Sequence, residues 1–202
     1  MSEEDRINRI VLAHGTFGLA PNMLRRLSLL AALAGLSLQA PAQDTAPQAD
    51  SFANIYASTC LKHLADLGAL TRQLDSLPSL PPEKAAHFLQ GQPGRAWPVP
   101  DKHGVFVLAI PASKQFCSVF ARRLSPPEAI SRFKKLVETA PSPLVSRPLK
   151  ETSTQTRQNG VASTLSYEWS VAGAGRKMLF TLTTADSPTA DIQGLASAAY
   201  VR

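Results

Sequence analysis

The cysteines and histidines downstream of residue 42 are the side chains with the most distinctive chemistry. Cys60 and His63 lie one helical turn apart, and Cys117 and His103 could complete a tetrahedral metal site with them. Zinc ligands usually come in more closely spaced pairs, whereas two cysteines in an exported protein favour a disulfide. We therefore predict a Cys60–Cys117 bond between the first helix and the central sheet, and we predict no metal or other cofactor.

Catalytic patterns give little support for an enzyme. The chain has no G-x-S-x-G elbow, no H-E-x-x-H helix and no glycine-rich phosphate loop. Asp101 and His103 share one loop and could pair as an acid–base couple, although this short spacing is common by chance. The sequence identifies no catalytic residue and favours a non-enzymatic role, with an unrecognised hydrolase using Asp101 and His103 as the rival hypothesis.

Residues 23–42 have the pattern of a secretory signal peptide. Two arginines precede a largely apolar run from Leu27 to Leu38, and Ala40-Pro41-Ala42 follows as a small-residue cleavage site. As a helix, this run would extend about 18 Å, too short for the roughly 30 Å hydrocarbon core of a bilayer. The pattern predicts a periplasmic or secreted protein, cleaved near Ala42, without a transmembrane anchor.

The signal-like segment divides the chain into four predicted parts. Residues 1–22 are acidic at their start, which is unlike a signal peptide, and we interpret them as a mis-called extension before a start at Met23. Residues 43–51 are polar and rich in proline and alanine, and they predict a flexible leader. Residues 52–202 then form a single domain.

The pattern of this domain predicts the α+β class, with about three helices packed on a mainly antiparallel sheet of five to six strands. Apolar residues recur at helical spacing over 52–74, and Ser125-Pro-Pro-Glu128 predicts a capped helix start. The apolar run Val105–Ile110 predicts a strand buried on both faces. Asn159-Gly160 predicts a tight hairpin before a strand that alternates apolar and polar residues.

Charge indicates an acidic protein partner in the cell envelope. Removing residues 1–42 takes away four arginines and three acidic residues, so the net charge falls from +6 to +5. The cations grouped near the third helix predict a partner-binding surface, although a solvated helix face is the simpler interpretation. They are Arg122, Arg123, Arg132, Lys134 and Lys135. The predicted compartment and the absence of a recognisable motif argue against nucleic-acid binding.

The two tryptophans, Trp97 and Trp169, have two interpretations. They could line a cavity for a small or lipidic ligand between the sheet and the helices, or they could fill the core. The sequence therefore supports two main hypotheses. The first is a protein-binding domain, such as an inhibitor or immunity protein of a periplasmic enzyme, and the alternative is a carrier or sensor of a small ligand.

Four segments of the chain resemble a group of small exported proteobacterial proteins of unassigned function. They are Phe52–Cys60, Gly94-Arg-Ala-Trp97, Val105–Ile110 and Cys117-Ser-Val119. The resemblance covers about the middle third of the chain and implies an immunity-like role against antibacterial effectors. It implies no functional residue.

Overall fold

A computed structural model describes residues 46–112, 115–157 and 159–202. The predicted extension 1–22, the predicted signal peptide 23–42 and residues 43–45 of the predicted leader lie outside the described residues. The helices are α1 Ala46–Tyr56, α2 Leu67–Leu74, α3 Pro82–Leu89 and α4 Pro126–Val137, and the π-helical turn Ala57–Leu61 follows α1. The strands are β1 Gly94–Val99, β2 Val105–Pro111, β3 Phe116–Arg122, β4 Val145–Pro148, β5 Thr152–Thr156, β6 Gly160–Ser170, β7 Lys177–Ala185 and β8 Gly194–Val201. Among these described helices, none is both long and apolar enough to cross a bilayer.

All eight strands belong to one antiparallel sheet in the order β1-β2-β3-β8-β7-β6-β4, with β5 also paired to β6. The long β6 has room for both short strands, since β4 pairs with its end and β5 with its beginning. The predicted α+β class and antiparallel sheet are confirmed. The predicted counts are wrong, because the described residues form eight strands and four α-helices rather than five to six and about three.

Two proline-containing strands explain much of this difference. Strand β1 contains Pro98, and strand β4 contains Pro148. Pro98 and Pro148 cannot donate to a strand ladder, so their presence argues against strands. Both are tolerated because β1 and β4 lie at the edges of the sheet, where one side of the backbone needs no strand partner.

The first helical region also differs from its sequence pattern. It begins at Ala46, and Ala49 is fully buried, so residues 46–51 pack into the domain instead of forming the predicted flexible leader. The pattern over 52–74 is interrupted before α2, where the Asp66 side chain accepts a hydrogen bond from the Ala69 amide and caps the new helix. Apolar spacing does not reveal this break, because Leu64 and Leu67 on either side of it are both buried.

The predicted capped start of α4 is confirmed in part. The helix begins at Pro126, whose fixed backbone torsion suits the first turn. Ser125 has the extended backbone of a capping residue, but its hydroxyl makes no capping hydrogen bond.

The predicted hairpin is present between β5 and β6, where Gly160 has a φ of +65° and pairs with Thr156.

One face of the sheet, here called the closed face, supports the main core. Helices α1, α2 and α4 pack on it, and their apolar side chains form one cluster with alternate residues of the strands. The largest members from the helices are Phe52, Tyr56, Leu64 and Phe133, and those from the strands include Trp97, Phe106, Trp169 and Phe180. The Tyr56 hydroxyl donates to the Ser197 carbonyl at 2.8 Å, which ties α1 to the middle of the sheet.

The opposite face, here called the half-open face, has helical cover over only part of its width. Helix α3 packs on β1 and β2 and forms a second, smaller apolar cluster with Ala96, Val107 and Phe120. Towards β6 and β7 this face becomes polar, with partly exposed hydroxyl groups on Thr164, Ser166, Thr181 and Thr183. The sheet therefore has a two-sided core at one end and a one-sided core at the other.

Candidate functional site

The cysteine prediction is confirmed. Cys60 of the π-helical turn and Cys117 of β3 form a disulfide, with 5.3 Å between their Cα atoms, and both residues are fully buried on the closed face. Since both sulfur atoms are in this bond, neither is available as a thiolate ligand. Within residues 46–112, 115–157 and 159–202, no group of three or more His, Cys, Asp or Glu side chains is placed to hold a metal ion.

The structure does not assemble the acid–base couple considered for the loop before β2. The Asp101 carboxylate accepts a hydrogen bond from the backbone amide of His103 at 2.7 Å, which is a local turn contact and not a contact with the imidazole. Ser131 and Lys134 of α4 have the S-x-x-K spacing, yet Ser131 is exposed and no hydrogen bond joins the two side chains in the described chain. Neither pair has the geometry of an activated nucleophile.

The five predicted partner-binding cations come from two parts of the chain, helix α4 and the end of β3. Arg132, Lys134 and Lys135 belong to α4, which packs on the closed face. Arg132 bonds to Asp50 of α1 and lies 3.5 Å from Glu128, and the hydrogen bond with Asp50, followed by the charge of that carboxylate, raises the pKa of Arg132. This arginine therefore links α1 and α4, which leaves the two lysines as the freer charges of that helix.

The other two cations lie at the end of β3. Arg122 alternates with Ser118 and Phe120, so its side chain is on the half-open face, where it is exposed and 3.3 Å from Asp191. The adjacent Arg123 is also exposed and has a φ of +58°, in the left-handed region that is uncommon for a residue with a side chain. The side chain of Arg122 thus lies on the face opposite to the one that α4 covers.

An apolar groove of ≈ 280 Å³ lies beside Arg122 on the half-open face, between α3 and the loop before β8. Val107 and Phe120 form its floor, and Phe88 of α3 packs edge-on against Phe120 with 5.1 Å between ring centroids. Val105, at the start of β2, also lines the groove although 61% of it is exposed. We call this feature the Phe120 groove.

Polar side chains line the edge of the Phe120 groove. Its rim carries Arg122, Asp191 and His87. The Arg122–Asp191 ion pair is well exposed on both sides, at 60% and 85%, so water screens it and it contributes little to stability.

The two tryptophans have different environments. Trp169 is a core residue: its indole N–H donates to the Val137 carbonyl at 2.7 Å, and its ring packs 4.6 Å from Phe180. Trp97 is more deeply buried, and its indole N–H has no acceptor among the described residues. The Arg95 guanidinium lies over the Trp97 ring, 4.9 Å from the centroid.

Trp97 also lines an open cleft of ≈ 540 Å³ on the closed face, here called the Trp97 cleft. One wall is the turn into α2, from Ala65 to Gly68, and the other is formed by the start of β1 and the end of β2. Gly94 allows the two strands to approach, because a Cβ there would lie 2.6 Å from the Ile110 carbonyl oxygen. The Trp97 cleft and the Phe120 groove lie on opposite faces and at opposite ends of β2.

Sequence reasoning missed the Phe120 groove. The signal that was present is the apolar run of β2, which requires cover on both faces. The run does not indicate how much of each face a helix will cover. The short α3 leaves Val105 outside the area that it covers. The exposure of one β-branched residue at a strand start is therefore a consequence of tertiary packing.

Comparisons with protein-family models, with curated proteins and with solved structures find no match to this chain.

Proposed function

We propose that this chain is an exported, non-enzymatic domain that binds an acidic protein partner through the Phe120 groove. The observation that carries the proposal is an open apolar groove with an exposed arginine on its rim. Protein interfaces typically combine an apolar centre with a polar rim, and arginine is enriched among the residues that contribute most to binding. The net positive charge of the chain favours a partner of opposite sign.

The backbone of Arg123 gives independent support. A side-chain-bearing residue in the left-handed region costs about 1–2 kcal/mol, and glycine would avoid that cost. Strained residues of this kind cluster at functional sites, where the side chain is needed in spite of the strain. In our proposal, Arg122 and Arg123 together steer an acidic surface onto the groove, which then receives an apolar anchor residue of the partner.

The proposed biological role is that of an inhibitor or immunity protein of a periplasmic enzyme. Such proteins need a stable, compact fold and a charged docking surface, and they need no catalytic group. The buried disulfide supports the oxidising compartment that this role requires. Export itself is part of the proposal, since residues 23–42 lie outside the described residues.

The direct test is capture of partners from an envelope extract by the tagged chain, followed by binding measurements with the purified partner. Val105→Asp places a charge in the groove, and Val145→Asp is its matched control, because Val145 is 63% exposed on β4 at the far edge of the sheet. We expect the wild type and Val145→Asp to bind one acidic partner equally, and Val105→Asp to lose at least tenfold in affinity. Equal binding by the two variants would exclude the Phe120 groove.

The charge component is tested with Arg122→Glu and, as a control for net charge, Arg157→Glu, which changes an exposed arginine beyond β5. Steering by Arg122 predicts a slower association rate for Arg122→Glu, together with a weaker dependence of that rate on salt. A similar change in both variants would show that only the net charge of the protein matters.

A further inference from the structure

Strand β5 lies at the edge of the sheet opposite to β1. It pairs with β6 on one side, and its other side makes no backbone hydrogen bond to any described residue. All five of its residues, Thr152–Thr156, are exposed, although their side chains alternate between the two faces of the sheet. We propose that this edge pairs with the β5 strand of a second copy of the chain, which gives a symmetric dimer with one continuous antiparallel sheet.

The first argument is that β5 has little protection against such pairing. Natural sheets discourage association at their edges with prolines, charged side chains and bulges. On β1, Pro98 removes a donor, and the Leu80 amide bonds to the Ala96 carbonyl at 2.7 Å. Between β4 and β5, residues 149–151 lie opposite only two residues of β6, which is the register of a β-bulge. Strand β5 itself contains no proline and no charged residue.

The second argument is the arrangement of charge at the two ends of β5. When two copies of the strand pair antiparallel about Thr154, Glu151 of each copy lies opposite Arg157 of the other. Both residues are exposed, and neither makes an ion pair within the described part of its own chain. A shift of the pairing by one residue removes both contacts, so the charges select this one register.

The uncharged residues of β5 fit the same register. Thr152 of one copy then lies opposite Thr156 of the other, and the two Thr154 residues face each other on the two-fold axis. These threonines are on the half-open face, because Thr152 pairs with Thr164 of β6. Threonine pairs across antiparallel strands are favourable, and the branched side chain suits a strand.

The size of this interface implies a weak dimer. Five residues from each copy bury less than the about 800 Å² per partner of a standard interface, and exposed ion pairs add little affinity. We therefore expect self-association only near about 0.1–1 mM protein. At the lower concentrations of partner-binding measurements the chain is a monomer, so Arg157→Glu remains a control for net charge there. No residue of β5 lines the Phe120 groove, so the two proposals can fail separately.

Sedimentation equilibrium of the purified chain, from about 10 µM to about 1 mM, measures the self-association. We expect the wild type to shift from monomer towards dimer over this range. Glu151→Arg and Arg157→Glu each place like charges opposite each other, so each variant alone should weaken the dimer at least about tenfold. Lys102→Glu changes an exposed charge in the loop before β2 and should associate as the wild type does.

Mixing the two single variants tests the register. In a heterodimer of Glu151→Arg with Arg157→Glu, position 151 of each copy again lies opposite the opposite charge at position 157. We therefore expect the equimolar mixture, and also the chain that carries both substitutions, to associate as the wild type does. Far-UV circular dichroism checks that each variant is folded. The proposal is overturned if the wild type stays monomeric up to about 1 mM, if the single variants associate like the wild type, or if their mixture stays monomeric.

Discussion

The two faces of the sheet differ in how much of their area the helices cover. On the closed face, three helices cover the strands, a disulfide crosses between the layers, and aromatic side chains fill the space. On the half-open face, the short α3 covers β1, β2 and part of β3, and hydroxyl groups meet solvent over β6 and β7. We infer that the closed face supplies most of the stability of the domain, and the half-open face is where our proposal places the partner.

The same contrast separates the two openings on the sheet. The Phe120 groove is an apolar gap beside incomplete helical cover, whereas the Trp97 cleft is an opening at the margin of the well-packed layer.

The largest expected effect is the loss of the disulfide that crosses the closed face. Cys60 and Cys117 are 57 residues apart, and closing a loop of that length stabilises a protein by about 4 kcal/mol in the chain-entropy model. We therefore expect the Cys60→Ala, Cys117→Ala double variant to lose several kcal/mol in the free energy of unfolding, measured in urea. A loss below about 1 kcal/mol would mean that this bond contributes little to the closed face.

A smaller effect is expected from substitutions at two adjacent residues of β7 whose side chains lie on opposite faces of the sheet. Leu182 is 1% exposed in the closed-face core, and Thr181 is partly exposed on the other face, where its hydroxyl bonds to that of Ser197. Leu182→Ala should cost about 3 kcal/mol because it leaves a cavity, and Thr181→Ala should cost less than about 1 kcal/mol. Equal losses in urea unfolding would contradict the proposed division of stability.

The smallest expected effect is the pH dependence of stability that Glu168 contributes. This residue lies on the half-open face, close to β4. Glu168 is 8% exposed, and its carboxylate lies 3.1 Å from Arg147 and 3.2 Å from Lys177. Burial by itself raises the pKa of Glu168, but the hydrogen bonds and charges of Lys177 and Arg147 outweigh it, so the pKa is lowered. Because the folded pKa is below the unfolded value of about 4.3, the stabilisation is present above that pH and lost as the pH falls through the folded pKa.

Urea unfolding of the wild type and of Glu168→Gln across pH 7 to pH 2 measures this contribution. The wild type should be the more stable at pH 7, and the difference should shrink as the pH falls below about 4. Glu83→Gln provides the control, since Glu83 is exposed and makes no ion pair among the described residues. A difference that is constant with pH would show that the two cations do not stabilise the ionised form of Glu168.

Local patterns predicted those parts of the fold that depend on neighbouring residues. The hairpin before β6 follows from the positive φ that Gly160 can adopt, and the buried face of β6 follows from the alternation of Leu165, Tyr167 and Trp169. The disulfide was predictable because only two cysteines were present. The break before α2 was not predictable in this way, since buried residues continue across it.

What the sequence determined by itself is therefore the α+β class, the main strands of the antiparallel sheet and the cysteine pair, because these follow from periodicity, turn chemistry and residue type. Only the tertiary structure decided which cations share a surface and which tryptophan has an unpaired donor. It placed Arg122 beside an apolar groove and Arg132 in a contact between helices. These properties depend on how much of each face the helices cover, and that coverage is set by contacts between residues far apart in the chain.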